Sequence, residues 1–343
     1  MAKNIVLVIG GAGYIGTHCC VSVLEAGFQV VVLDNLSNSS EISLTRVQEI
    51  TGKEVAFHNV DICNQSALDA VVELYEGRLH SAILLAGVKA VGESVSNPLL
   101  YYDNNVCGAV NVFKCLSKHG CKKLVFSSSA CVYGAAKEVP VTEESPLSAT
   151  NPYGRTKLFI EEILRDLCTS DDQWGVVLLR YFNPIGAHPS GRIGEDPDGV
   201  PNNLMPYIAQ VAVGKRAELT VHGGDYDTPD GTGVRDYLHI SDLAEGHVTA
   251  IKLLSEKPSG CRVYNLGTGQ GYSVLEMVKA MEKACGKEIK YIIGPRRAGD
   301  SATMYCDPKK AEEELHWKAT RGLDEMCRDL WAWQSANPKG YRE

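Results

Sequence analysis

The chain carries 343 residues, 44% of them hydrophobic and 22% charged, enough to bury a large core over two domains or one domain with a substantial appendage. A formal net charge of −8 speaks against a general nucleic-acid surface and leaves small molecules as the expected partners. The apolar run within MAKNIVLVIGGAGYIG is too short to span a membrane and has no signal-peptide cleavage region, so a cytoplasmic protein with no membrane partner is expected.

Apolar, β-branched runs at 4–9, 29–33, 55–58, 82–85, 123–127 and 176–180 predict strands, and apolar residues at helical spacing over 14–26, 66–75, 100–118 and 153–168 predict helices between them. This alternation predicts an α/β protein built on a doubly wound parallel sheet of the nucleotide-binding kind. From 183 to about 206 the texture turns rich in glycine and proline, which places a boundary after a first domain, 1–183, and before a smaller mixed α/β domain, 184–343. Within the second part, 234–267 is expected to return in part to the first sheet. Twelve cysteines are dispersed with no C-x-x-C, and nine histidines fall into no zinc-like pattern. The thiols are expected to be reduced and no metal is expected.

NIVLVIGGAGYIG runs a strand into Gly10-x-x-Gly13-x-x-Gly16 at the start of a helix. Glycines there let backbone amides and the helix dipole meet a pyrophosphate. Asp34 follows at the end of the next strand, at the distance for holding ribose hydroxyls, and no arginine follows it in VLDNLSNSS. An acid at that position favours NAD, because a 2′-phosphate would meet its charge. Asp61-Ile62 can edge the adenine, and Ala86-Gly87 with Lys89 can line the other end; a helix cap and a solvated loop charge are the plainer readings of Asp61 and Lys89.

KLVFSSSACVYG brings three serines to the carboxyl end of a strand, and NPYGRTK places Tyr153 and Lys157 on one face of a helix. Ser127 and Ser128 are as well explained by capping a turn. Ser129, Tyr153 and Lys157 can converge beside a nicotinamide. A free tyrosine ionises near pH ~10, and an adjacent cation lowers that toward neutrality. Such a set suits a base that takes a hydroxyl proton while hydride leaves the same carbon.

Gly10–Gly16, Ser127–Ser129 and Tyr153-x-x-x-Lys157 resemble the extended short-chain dehydrogenase/reductase family. The segments YYDNNV, RYFNPIGAHPSG, GEDPDGVPNNLMPYIAQVAVG, DGTGVRDYLH, YNLGTG and PRRAGD are similar to its UDP-galactose 4-epimerase branch over nearly the whole chain. The resemblance implies a Rossmann-like domain with a smaller domain for the nucleotide sugar, tightly held NAD and a homodimer built on helices such as 100–118 and 153–168. It implies interconversion of UDP-galactose and UDP-glucose: Tyr153 takes the 4-hydroxyl proton, Ser129 assists and Lys157 tunes Tyr153. It adds Tyr14, Ile15, Asn35, Asn38 and Asn105 to the cofactor residues. For the substrate it implies Asn183 at the phosphates, Asn203 and Leu204 around UDP, Arg235 and Arg297 as a diphosphate clamp, Asp300 at a ribose and Met304 at the sugar gate. Guanidinium forks suit phosphate oxygens.

The chain departs from that pattern at Leu84 and Leu85 beside the nicotinamide, at His222 near the uracil and at Cys131 beneath the sugar. Met304 is long but flexible, so N-acetylated sugars are expected to be poor substrates. A related 4,6-dehydratase generally needs an Asp-Glu pair where this chain has Ala130 and Cys131. A redox-sensing binding protein without catalysis has no need of Ser129, Tyr153 and Lys157 together.

Overall fold

The structure, a computed structural model, describes residues 4–297 and 300–341. Its strands are β1 Ile5–Ile9, β2 Gln29–Asp34, β3 Val55–Asn59, β4 Leu79–Leu84, β5 Lys123–Ser127, β6 Gly175–Tyr181 and β7 Asn183–Ile185. They continue with β8 Leu219–His222, β9 Val234–His239, β10 Gly260–Leu266, β11 Gly271–Ser273, β12 Tyr291–Gly294 and β13 Thr303–Met304. Seven of them form one parallel sheet in the order β10-β6-β5-β4-β1-β2-β3.

The sequence explains this sheet. IVLVI of β1 is buried throughout, as a central parallel strand must be when helices cover both faces. Alternate residues feed two cores. Val6, Val8, Val30 and Val32 pack with the helices Tyr14–Glu25 and Ile240–Glu256, whereas Ile5, Leu7 and Ile9 pack with Gln65–Glu73, Gly108–Lys118 and Pro152–Ser170. β1 pairs with β2 on one side and β4 on the other, so the strand order reverses there and a crevice opens at the carboxyl ends.

Beyond β6 the chain builds a smaller region. β9 pairs with β11, β13 and β7, and β8 pairs with β12. Helices Leu204–Ala212, Val274–Cys285 and Leu323–Ala336 pack through Met205, Ile208, Met277, Met281 and Leu330. Of the stretch 234–267, β10 joins the large sheet as its edge, while β9 forms the centre of the four-stranded sheet.

Two local features differ from the sequence expectation. Helix Glu41–Thr51 was not expected, because few of its residues are apolar, yet Ser40 caps its start and left-handed Gly52 ends it. The single helix expected over 100–118 is three segments: Pro98–Tyr101, a π-helical turn Tyr102–Cys107, and Gly108–Lys118. The wide turn places Asn105 inward, where it is 3% exposed.

Candidate active site

The glycine loop shows which glycines the chain itself requires. A Cβ on Gly10 would fall 2.5 Å from the Ala86 amide nitrogen, and one on Gly16 would fall 2.3 Å from the Gly10 carbonyl. One on Gly13 would meet nothing closer than 3.7 Å. The space over Gly13 is therefore left to something outside the chain. Gly13 opens helix Tyr14–Glu25 without a side-chain cap or an acidic residue in the first turn, so its amides are available to an anion.

Around this loop lies a cleft of about 650 Å³, lined by Gly10, Gly13, Tyr14, Ile15, Gly16, Asp34, Asn35, Asn38, Ile62, Ala86 and Lys89. Asp34 braces the loop: its carboxylate accepts from the Ala12 amide at 3.0 Å, the Leu36 amide at 2.9 Å and the Ser39 hydroxyl at 2.8 Å. Asp61 stands behind the lining, accepting from Asn35 Nδ2 at 3.0 Å and from the Cys63 amide at 2.7 Å. The Cys63 amide holds its carboxyl below the usual range. Asn105 is a strut: it receives the Val88 amide at 2.9 Å and donates to Val88 O at 3.0 Å and Thr156 Oγ1 at 3.1 Å.

At the end of β5 the three serines separate by role. Ser127 Oγ bonds His247 Nε2 at 2.7 Å and Ser128 Oγ donates to Glu161 Oε1 at 2.5 Å. Glu161 also receives Arg180 through Nε at 3.0 Å and through a terminal nitrogen at 2.6 Å. Arg180 is 1% exposed, and its other terminal nitrogen reaches Tyr133 Oη and Glu143 O, each at 3.1 Å. These fixed neighbours leave Ser129 free to turn its hydroxyl to the site, where it also accepts the Cys131 amide at 3.2 Å.

Asn151 starts the helix Pro152–Ser170 by accepting the Gly154 amide at 2.8 Å, with proline in the first turn. Tyr153 and Lys157 are 8% and 6% exposed, and Lys157 Nζ donates to Ser127 O at 2.7 Å and lies 5.9 Å from the Tyr153 ring centre. The expected lowering of the phenol by this ammonium is outweighed here. Burial pushes Tyr153 well above 10, with the Ser129 hydroxyl opposing, and burial draws Lys157 down to about 8.

The expected substrate residues come together on the smaller region, with weaker internal ties. Met304 pairs in register with Arg235 across β13 and β9 and is 8% exposed. Arg235 and Arg297 both face Asp300, at 4.0 Å and 3.0 Å, with side chains 23% and 59% exposed. Asn183 is exposed on β7, and Asn203 and Leu204 open the helix Leu204–Ala212. His222 ends β8 with its side chain exposed.

A family model described as GDP-mannose 4,6 dehydratase matches residues 7–330. A UDP-glucose 4-epimerase of Dictyostelium discoideum is 58% identical over 338 residues, spanning 98% of each chain, and that of Bacillus subtilis is 59% identical over 337 residues, again 98% of each. The crystal structure of UDP-glucose 4-epimerase from Bifidobacterium longum in complex with NAD+ and UDP matches with a TM-score of 0.94 and 53% identity, over 98% of this chain and 99% of that one. The chain belongs to the UDP-glucose 4-epimerase family.

In this epimerase-family chain the cleft has lining residues that sequence reasoning missed. Asn104, Glu195, Asp196 and Tyr341 all reach it. Glu195 accepts Lys89 Nζ at 2.9 Å and Asn203 Nδ2 at 3.4 Å, joining the glycine-loop side to the substrate side. Tyr341 arrives from the far end of the chain, its amide donating to Asp196 at 2.9 Å. The acid-rich GEDPDG was legible as a loop, but nothing in it indicated that Glu195 would face Lys89.

Proposed function

We propose that this protein interconverts UDP-galactose and UDP-glucose by transient oxidation at sugar C4. The observation that carries the reading is the joint placement of Ser129, Tyr153 and Lys157 at the end of β5, on the same carboxyl edge of the parallel sheet as the uncapped glycine loop that follows β1. The full-length likeness to UDP-glucose 4-epimerases supports the choice among redox reactions. The open space over Gly13, the free helix amides and the acid at Asp34 fit NAD, held by the glycine loop, Asp34, Asn35, Ile62 and Lys89. When bound, NAD supplies a hydride acceptor at C4, a positive charge near the phenol, and the hydride that returns to the sugar's other face.

The chain's own residues do the rest. Tyr153 Oη accepts the 4-hydroxyl proton, directly or across Ser129 Oγ, and later gives it back. Lys157, 5.9 Å from the Tyr153 ring centre, and the positive charge that bound NAD would supply favour the phenolate against the opposing effect of burial. Arg235 and Arg297 grip the diphosphate while the 4-keto sugar turns, and Asp300 spaces the two guanidinium groups. Dehydration is disfavoured because Ala130 carries no titratable group and burial pushes the Cys131 thiol up, away from proton transfer.

The two halves follow the division at about residue 183, one holding the dinucleotide and the other the nucleotide sugar. Val95, Leu99 and Phe159, 64%, 72% and 46% exposed, lie on neighbouring helices and support a homodimer through that face. Among the described residues no helix is long and apolar enough to cross a membrane. Twelve free thiols suit a reducing cytoplasm.

The test is turnover of UDP-galactose to UDP-glucose by purified protein without added NAD. Tyr153→Phe is expected to lower kcat by about 10²–10⁴-fold while NAD stays bound; undiminished turnover would defeat the assignment. Buried Met304 narrows the sugar gate, so kcat/KM for UDP-N-acetylgalactosamine is expected well below that for UDP-galactose. Equal values would remove Met304 from the gate.

A further inference from the structure

On the sheet face opposite helix Tyr14–Glu25, helices Gln65–Glu73 and Gly108–Lys118 lie side by side. Cys115 and His119 are one turn apart on and just after the second helix, and Asp69 faces them from the first. One donor atom from each lies within 4.8 Å of the other two. The His119 side chain is 4% exposed, and its Nε2 is buried without a hydrogen-bond partner, 3.9 Å from Asp69 Oδ1. Its other nitrogen, Nδ1, faces Glu76 Oε2 at 3.6 Å.

A buried imidazole with a bare nitrogen turned to a carboxylate is the setting in which a histidine meets a metal ion, and Glu76 stands behind the ring just beyond hydrogen-bond reach, where closing on it would fix the tautomer. Asp69 has its oxygens divided. Lys118 Nζ donates to Oδ2 at 3.1 Å, while Oδ1 receives Gln65 Nε2 at 3.3 Å and faces the imidazole. Gln65 Oε1 is also buried without a partner, so two unpaired polar atoms border one carboxylate. Zinc bond lengths of roughly 2.0–2.3 Å set tetrahedral ligand atoms roughly 3.3–3.8 Å apart, so modest side-chain closure would bring the three donors onto one ion.

We propose that Asp69, Cys115 and His119 bind a zinc-type divalent cation, with the fourth position open to water on the partly exposed Asp69 side. Thiolate, imidazole and carboxylate together match a borderline-soft ion and not magnesium or calcium. No metal was expected from the sequence, where Cys115 and His119 stand apart from the third ligand, which lies on another helix. The site is remote from the Tyr153 chemistry in role: it ties together two helices that flank the cofactor cleft, one beginning just after Ile62 and the other continuing from the turn that carries Asn105.

The experiment titrates the purified holoprotein with Co²⁺ as an optical probe. The expected result is one equivalent bound, with a sulfur-to-cobalt charge-transfer band and tetrahedral visible bands that Zn²⁺ abolishes. Cys115→Ala and His119→Ala should each lose the signal, and Cys63→Ala, at an exposed cysteine beside the first helix, should keep it. Absence of the sulfur band in the unaltered protein, or its survival in Cys115→Ala, would overturn the proposal. Should Cys115→Ala fail to fold, Asp69→Asn decides: loss of the tetrahedral bands with unchanged circular dichroism supports the site, and their persistence refutes it.

Discussion

The end of β5 and the arginine side of the smaller region face one reaction but are held in opposite ways. At β5 the groups that flank Ser129 have buried partners: Ser127 with His247, Ser128 with Glu161, Glu161 with Arg180 and Lys157 with Ser127 O. On the other side, Arg235 and Arg297 share one partly exposed carboxylate. The first arrangement fixes the ammonium and the strand end that carries Ser129 before any ligand arrives, as proton and hydride transfer demand. The second leaves guanidinium groups with unspent donors, as an anion clamp demands. Rigidity is concentrated at the proposed place of bond change, and adaptable charge at the proposed substrate clamp.

The sharpest way to break this contrast is Glu161→Ala. Glu161 is fully buried, and its removal leaves Arg180 with an uncompensated charge, so unfolding free energy should fall by about 3–5 kcal/mol. Urea unfolding of the holoprotein measures it. A loss below about 1 kcal/mol would mean that the pair does not organise the strand end. Replacing both partners together, Glu161→Leu with Arg180→Met, should cost much less than Glu161→Ala, since no charge is then stranded.

Acid should find the same region next. Burial lowers His247 to about 4, so it stays neutral in the fold, whereas an unfolded chain takes up its proton near pH ~6.5. The unfolded state therefore binds more protons in that window. Stability falls as the pH drops from about 6.5 to 4, by about 3 kcal/mol from this group at about 1.4 kcal/mol per pH unit. The difference in urea midpoint between the unaltered protein and His247→Gln should shift over that window in favour of the variant. A constant difference would show that Ser127 is not held by a neutral imidazole.

The contrast also explains what the sequence disclosed. The glycine loop and the Tyr153/Lys157 pair are local patterns, seven and five residues long, set by one strand, one turn or one helical face, and they were legible together with the parallel sheet. Glu161, Arg180 and His247 were not. Their partners lie far away in the chain, as with Ser127 and His247, and a buried arginine reads like any surface arginine until its carboxylate is known. The π turn at Tyr102–Cys107 was hidden for another reason: its residues keep helical composition while one inserted position rotates Asn105 inward. Lys89 was legible as a loop charge near the cofactor, but its pairing with Glu195 depends on two regions meeting across the cleft.

The smallest effect tests the other half of the comparison. Arg235→Met removes a guanidinium, 23% exposed, that donates to Val234 O at 2.8 Å and has its nearest carboxylate oxygen 4.0 Å away, and a hydrogen bond of this kind is worth about 0.5–1.5 kcal/mol. Folding stability should therefore fall by no more than about 1.5 kcal/mol. The loss should appear in binding. A charged hydrogen bond to a phosphate contributes about 1.5–3 kcal/mol, which raises the dissociation constant for UDP about 10- to 100-fold. A clamp of the proposed kind grips the nucleotide equally before and during the chemistry, so KM should rise while kcat changes little. Isothermal titration with UDP and steady-state turnover separate the two. If kcat falls as far as KM rises, Arg235 acts on the reacting sugar, and the clamp belongs with the rigid end of β5.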